Sequence, residues 1–201
     1  METPLNLLAF ALLGYLLGSL PFAVIASKAF GLADPRTFGS GNPGATNVLR
    51  SGNKAAALLT LIGDALKGWV AMWLAGKLGA DEVGIAIAGI AAFLGHVFPL
   101  FLRFKGGKGV ATAVGVLAGF SGMLALICAG VWLLIAVLTR YSSLAALIAS
   151  AASPAIAAWM GLGEIELIAI SAMTATLILR HRDNIKRLFA GTEGKLGKKK
   201  T

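Results

Sequence analysis

Apolar residues run in long blocks along this chain, and polar residues gather in the gaps. The first block covers about Leu5–Ala29, with Pro21 placed to kink it. Further blocks cover about Lys54–Leu78, Val83–Leu102, Val110–Leu138, Ser143–Met160 and Glu164–Leu179. A helix needs roughly 20 residues to cross a bilayer core, so most of these blocks read as single spans. Val110–Leu138 is different: its 29 residues are interrupted by Gly119-Phe120-Ser121-Gly122. It predicts a short helix directly after the polar loop Arg103–Gly109, a turn, and a full helix back. The short helix must be shielded by protein, because unsatisfied backbone is not tolerated in lipid. The other long polar gap, Gly31–Asn53, is read as a loop. The pattern predicts an all-α integral membrane protein of about seven transmembrane helices, one of them short.

Composition agrees with this reading. Hydrophobic residues make up 57% of the 201 residues and charged ones 13%, and the mean hydropathy is +0.82. The spans leave no room for a separate soluble domain, so residues 1–201 read as one polytopic domain with a basic tail over about 181–201. Net charge is +9, but its placement argues against nucleic acid as a partner. Sixteen of the 18 Lys and Arg residues lie in the first loop, the second loop, at Arg140 or in the tail from Arg180, counting the flanking Lys28 and Lys54. Glu2, Asp81, Glu82, Glu164 and Glu166 mark the opposite side, with Lys77 the one nearby cation. Basic loops stay cytoplasmic, which predicts an outside N-terminus and a cytoplasmic tail. The second loop and Arg140 then share a side only if Val110–Leu138 crosses an even number of times, as a hairpin does. All three polar clusters are expected under one leaflet. Glu2 and the length of the first apolar block favour a retained span over a signal peptide. Cys128 is the single cysteine, so no intrachain disulfide or cysteine metal cluster is available; it reads as a packing residue.

The polar gaps carry candidate chemistry. Gly39–Asn47 reads GSGNPGATN. Gly39, Gly41 and Gly44 allow tight turns and close backbone approach, while Ser40, Asn42, Thr46 and Asn47 supply neutral donors and Arg50 a fork suited to phosphate. A plain turn-and-cap cluster ahead of the next span is the alternative; it leaves the number of donors unexplained. Lys105–Thr112 reads KGGKGVAT. Here Lys105 and Lys108 are interleaved with Gly106, Gly107 and Gly109 ahead of a helix start, whose N–H groups and dipole favour anions. The spacing is not that of a nucleotide-binding P-loop, and a flexible basic loop at the membrane edge is the bland reading. In the tail, His181 and Asn184 share a helical face at i, i+3, with Arg182 beside them and Arg180 and Arg187 near that face. An imidazole, an amide and guanidinium groups suit a polyol phosphate better than a simple positive anchor. Within the spans, Asp64 and Lys67 are also i, i+3 and can lower each other's burial cost. His96 reads as a structural hydrogen-bonding residue. No metal motif is present.

GSGNPGATN with Arg50, GHVFPLFLRFKGGKGVAT at Gly95–Thr112, HRDNIKRLFAGTE at His181–Glu193 and the DALKG stretch at Asp64–Gly68 resemble the motifs of the PlsY family, the bacterial acyl-phosphate:glycerol-3-phosphate acyltransferases. The similarity runs over essentially the whole chain, and only the lysine-rich end looks idiosyncratic. The resemblance implies a multi-pass protein of the bacterial cytoplasmic (inner) membrane. It implies transfer of an acyl group from acyl phosphate to the 1-hydroxyl of glycerol 3-phosphate, giving lysophosphatidic acid and inorganic phosphate without a cofactor. It implies catalytic roles for Ser40, Lys108, His181 and Asn184. Substrate contacts are implied for Asn42, Gly44, Thr46, Asn47, Arg50, Lys105, Gly106, Gly107, Gly109 and Arg182. Functional coupling to the acyl-phosphate synthase and to the next acyltransferase of the pathway is also expected. The His-x-x-x-x-Asp pattern of soluble glycerolipid acyltransferases is absent, since Phe101 follows His96 and Lys186 follows His181 at the fifth position.

Other readings of the residues differ in what they require. A transporter for an anionic metabolite needs anion-binding groups deep in the membrane. A lipid-binding scaffold does not need Ser40, Lys108 and His181 together. Phosphotransfer from a nucleotide needs an acidic metal-binding motif.

Overall fold

The computed structural model describes residues 3–197. Glu2 and Lys198–Lys200, which carry part of the charge pattern, lie outside the described residues. Every regular element among the described residues is helical. The chain divides into two compact units, residues 1–119 and 120–201.

The first unit contains α1 (Pro4–Gly18), α2 (Phe22–Ala29), α3 (Ala45–Leu49), α4 (Lys54–Lys77), α5 (Glu82–Val97), a 3-10 turn (Leu100–Leu102) and nearly all of α6 (Val110–Phe120). Helix starts follow local chemistry. Asn53 caps α4 through Ala56 N–H at 2.9 Å and Asp81 caps α5 through Gly84 N–H at 3.1 Å, each satisfying a first-turn donor. Pro21 does more than kink the first span. It ends α1 and leaves Ser19–Pro21 as a break before α2, since proline brings no N–H to continue the ladder. The expected loop Gly31–Asn53 also contains the short helix α3, which its polar composition concealed.

Helices α1 and α5 approach closely because their contact face is built from small residues. A Cβ on Gly14 or Gly18 would run into the backbone of Ala88 or Ala92, and one on Gly95 into the carbonyl of Tyr15. The seam is tied at one end, where Tyr15 OH donates to Phe98 O at 2.8 Å and Leu100 N–H to Ser19 Oγ at 3.3 Å. Helix α6 lies against α4 by the same device, with Gly115 on the Ala65 backbone and Gly68 on Thr112.

The second unit contains α7 (Gly122–Thr139), α8 (Ser142–Trp159), α9 (Glu164–Arg180) and α10 (Arg182–Phe189). Ser121 caps α7 through Leu124 N–H at 3.3 Å, which fixes the turn between α6 and α7 where glycine and serine interrupt the apolar run. Pro154 sits inside α8 and cannot donate to the Ser150 carbonyl four residues back. Ser153 Oγ and Thr174 Oγ1 of α9 donate to that carbonyl instead, at 2.8 and 3.0 Å. Side-chain hydroxyls thus repair a proline gap that water would repair in a soluble protein. The tail turns back on the α7–α8 junction: Leu196 N–H donates to Arg140 O at 2.7 Å and Arg140 Nη2 to Leu196 O at 2.9 Å.

Among the described residues five segments are long and apolar enough to cross a membrane: Pro4–Ala29, Lys54–Lys77, Glu82–Leu102, Gly122–Thr139 and Ser142–Trp159. Val110–Phe120 is a shorter apolar helix of 11 residues, and α9 has 17. Leu126, Leu133, Leu134, Val137 and Leu138 of α7 are exposed, a face that suits lipid rather than water.

Gly18→Val inserts branched carbons where the α5 backbone lies. It is expected to cost about 1–3 kcal/mol, read as a Tm drop of roughly 3–10 °C in detergent. Gly130→Ala, at a position with open space around it, is the control and should leave Tm unchanged or slightly raised.

Candidate active site

The first glycine-rich loop is organised around Asn47. This side chain is 2% exposed and uses its whole hydrogen-bonding capacity internally. Its Nδ2 donates to Pro35 O and Phe38 O at 2.6 and 3.2 Å, and its Oδ1 accepts from Ser40 N–H and Arg50 Nη1 at 2.9 and 3.3 Å. Asn47 is therefore the brace of the loop, with each donor and acceptor of its amide engaged inside the protein. Gly39, at φ +61°, lies so close to Asn47 Oδ1 that a Cβ would collide with it. Ser40 and Arg50, both exposed, are held from the two sides of the brace. Asn42 and Thr46 are half-buried, as is Gly44 at the start of α3. Arg36 spends its guanidinium on Asp34 at 2.6 Å, and that hydrogen bond holds the Asp34 carboxyl below its ordinary range.

The second loop leaves the 3-10 turn through Arg103 and Phe104, both in the left-handed region at φ +51° and +62°. Phe104 N–H to Pro99 O at 2.9 Å and Lys105 N–H to Leu102 O at 3.1 Å hold this turn. Gly106 and Gly107 are buried against the end of α5. A Cβ on Gly106 would meet His96 O and Pro99, and one on Gly107 would meet the His96 ring at Nε2. Gly107 N–H donates to His96 O at 3.1 Å. This N–H therefore ties the loop to the end of α5. Lys105 is exposed and Lys108 half-buried. Gly109, at φ +87°, passes over the Phe93 ring and opens α6, whose first-turn N–H groups have no intrahelical acceptor.

Below this loop lies a charged cluster only half visible in the sequence. Asp64 Oδ1 is 2.7 Å from Lys67 Nζ and 3.4 Å from His96 Nδ1, with all three side chains buried. Lys67 also donates to Leu20 O at 2.9 Å, in the break between α1 and α2. The i, i+3 spacing showed the Asp–Lys pair. His96, 32 residues further on, carried no local signal of its partner. A narrow, partly open crevice joins these groups to Pro43 of the first loop and to Gly106 and Gly107 of the second. The first unit thus brings both glycine loops to the rim of one buried charge cluster.

The second unit holds the third motif. His181 and Asn184 are both buried and Arg182 is exposed. His181 Nδ1 lies 2.9 Å from Leu177 O. A carbonyl only accepts, so Nδ1 carries the hydrogen and a neutral ring presents Nε2 as its acceptor. Glu193 ties the motif together. Its carboxylate accepts from Asn184 Nδ2 at 2.6 Å, Arg187 Nε at 2.7 Å and Ser143 Oγ at 2.7 Å. Arg187, placed near the His181 face by its spacing, is thereby committed to Glu193. Burial raises the Glu193 carboxyl, and the three donors together outweigh it and hold the group below the ordinary glutamate range. Glu193 was missed as a functional residue because its partners lie up to 50 positions away. Among the described residues no three His, Cys, Asp or Glu side chains cluster to hold a metal ion.

Apolar spans and intramembrane charge, with glycine loops at its rim, define a multi-pass integral membrane protein. The glycerol-3-phosphate acyltransferase family model matches residues 8–191, and the chain belongs to that family. It is 59% identical over 198 residues to the glycerol-3-phosphate acyltransferase of Aromatoleum aromaticum, covering 98% of this chain and 100% of the relative. It is 58% identical over 186 residues to that of Dechloromonas aromatica, covering 92% and 94%. A crystal structure of PlsY, an integral membrane glycerol 3-phosphate acyltransferase, in its glycerol 3-phosphate form shares 40% identity at a TM-score of 0.89, covering 95% of this chain and 96% of that one. The lysophosphatidic acid form gives 38% and 0.88, covering 95% of each.

The Glu193 clamp makes stability pH-dependent with a definite sign. A carboxyl lowered by folding stabilises fully above its unfolded value of 4.5 and loses that contribution as pH falls through the lower folded value. The Tm gap between wild type and Glu193→Gln should be constant above about pH 5.5 and shrink as pH falls below the ordinary glutamate value.

Proposed function

We propose that this protein transfers an acyl group from an acyl phosphate to the 1-hydroxyl of sn-glycerol 3-phosphate, giving lysophosphatidic acid and inorganic phosphate. Family membership across all three polar motifs carries this reading. The meeting of the two glycine loops at one crevice supports it, because both substrates bring phosphate. Lys108, Thr46 and the N–H groups opening α6 bind the acyl phosphate, with Lys105 adding positive charge. Ser40, Arg50, His181 and Asn184 hold glycerol 3-phosphate, and Arg182 adds charge beside them.

The donor is a mixed anhydride and already activated, so alignment supplies much of the rate. The 1-hydroxyl oxygen attacks the acyl carbonyl carbon, and a tetrahedral intermediate forms. The carbon–oxygen bond to phosphate then breaks, and phosphate leaves with the bonding pair. The hydroxyl proton passes to an oxygen of that phosphate. This substrate-assisted route is favoured over a histidine base, because His181 Nδ1 leans on a backbone carbonyl, which does not take up charge as a proton moves. The acyl chain lies among the spans, where each methylene removed from water contributes about 0.8 kcal/mol.

We further propose a cytoplasmic tail and an outside N-terminus in the bacterial inner membrane, with the three motifs under one leaflet, on the distribution of Lys and Arg. Cysteines introduced at positions 105 and 182 should both react from the cytoplasmic side in membrane vesicles; opposite sidedness would end the reading. Purified protein given palmitoyl phosphate and labelled glycerol 3-phosphate should form lysophosphatidic acid equally with Mg²⁺ and with chelator. Activity only with acyl-CoA would overturn the donor. His181→Gln should keep near-normal turnover at saturating substrate; a collapse that is restored at high pH would favour the histidine base.

A further inference from the structure

We propose that Asp64, Lys67 and His96 form a positioning device for the second glycine loop, setting Lys108 at its place on the donor phosphate. The proposal rests on the assignment of Lys108 made above. It makes none of the three a catalytic residue, since they act through the loop.

The chain of contacts is continuous. Lys67 Nζ is fixed by Asp64 Oδ1 at 2.7 Å and by Leu20 O at 2.9 Å. The same Oδ1 faces His96 Nδ1 at 3.4 Å. Its charge favours hydrogen on that nitrogen and so fixes the ring's orientation. The opposite edge of the ring, at Nε2, fills the space where Gly107 would carry a side chain, and His96 O holds Gly107 N–H at 3.1 Å. Gly106 is seated on the same carbonyl and on Pro99. Ring and loop therefore pack directly on each other, and the next residue is Lys108.

Packing alone does not call for this arrangement. A buried ion pair can often be replaced by well-packed apolar side chains without loss of stability, and α4 and α5 already meet through small residues, Gly89 against Met72 among them. What apolar residues cannot supply is a directional anchor for an imidazole. A misplacement of about 1 Å in a substrate-positioning group costs on the order of 10²-fold in rate.

The test separates positioning from stability. Asp64→Asn with Lys67→Met removes both charges and leaves no unpaired ion. His96→Asn keeps an amide N–H near the Nδ1 position while withdrawing the ring from Gly107, and it leaves the ion pair intact. Each is expected to raise KM for acyl phosphate by about tenfold or more, with KM for glycerol 3-phosphate within twofold of wild type and Tm little changed. Gly107→Ala alone should lose activity, whereas in the His96→Asn background it should cost little more, because the ring it strikes is gone. Should the doubly uncharged variant fail to insert, His96→Asn and its pairing with Gly107→Ala decide. Wild-type kinetics in His96→Asn, or equal KM changes for both substrates, would overturn the positioning role while leaving the acyltransferase reading intact. Wild-type protein inactive with acyl phosphate would instead sink that reading.

Discussion

A carboxylate removed from water must find its counter-charge inside the protein, or it will not stay ionised. Asp64 meets that demand with Lys67 on its own helix and His96 on the next, and much of the first unit follows from it. Lys67 needs a second acceptor, which the interrupted first segment provides at Leu20. His96 needs its ring in one orientation, and a loop with two consecutive glycines can close over that ring. One buried oxygen thus couples the start of the chain, α4, α5 and the second loop.

The glycines divide between two tasks that a sequence does not distinguish. Gly14, Gly18, Gly68, Gly95 and Gly115 are absent side chains at helix contacts. Gly106 and Gly107 look like a phosphate cradle by composition, yet both are packed inward on His96. The part of that loop proposed above to meet phosphate is a lysine and the opening turn of α6. In the first loop the positions of Ser40 and Arg50 are inherited from Asn47, so the brace and the groups it holds form one unit from Pro35 to Arg50.

Hydropathy alone located the five long apolar segments within a few residues, because a bilayer imposes one length on every crossing helix and one composition on its outer face. Gly119, Ser121 and Gly122 marked the α6–α7 turn by clustering within a long apolar run. The three motifs were legible through residue type and order. What stayed hidden depends on partners remote in sequence. Helix α3 has only five residues and lies within a loop held by Asn47, which reaches back 12 positions to Pro35. His96 takes its orientation from another helix. Glu193 joins α8, α10 and the tail, and neither the spacing of its own segment nor its charge announces that.

The discontinuity at Ser19–Pro21 has one more consequence. Helix scales rate proline in a spanning segment as a flaw, and its replacement by alanine as a repair. An unbroken helix would return the Leu20 carbonyl to Val24, its partner four residues on, and strip Lys67 of an oxygen it coordinates. The defect in the first segment therefore serves as an internal solvent, a fragment of exposed backbone standing in for the water that an ammonium loses when it enters the membrane.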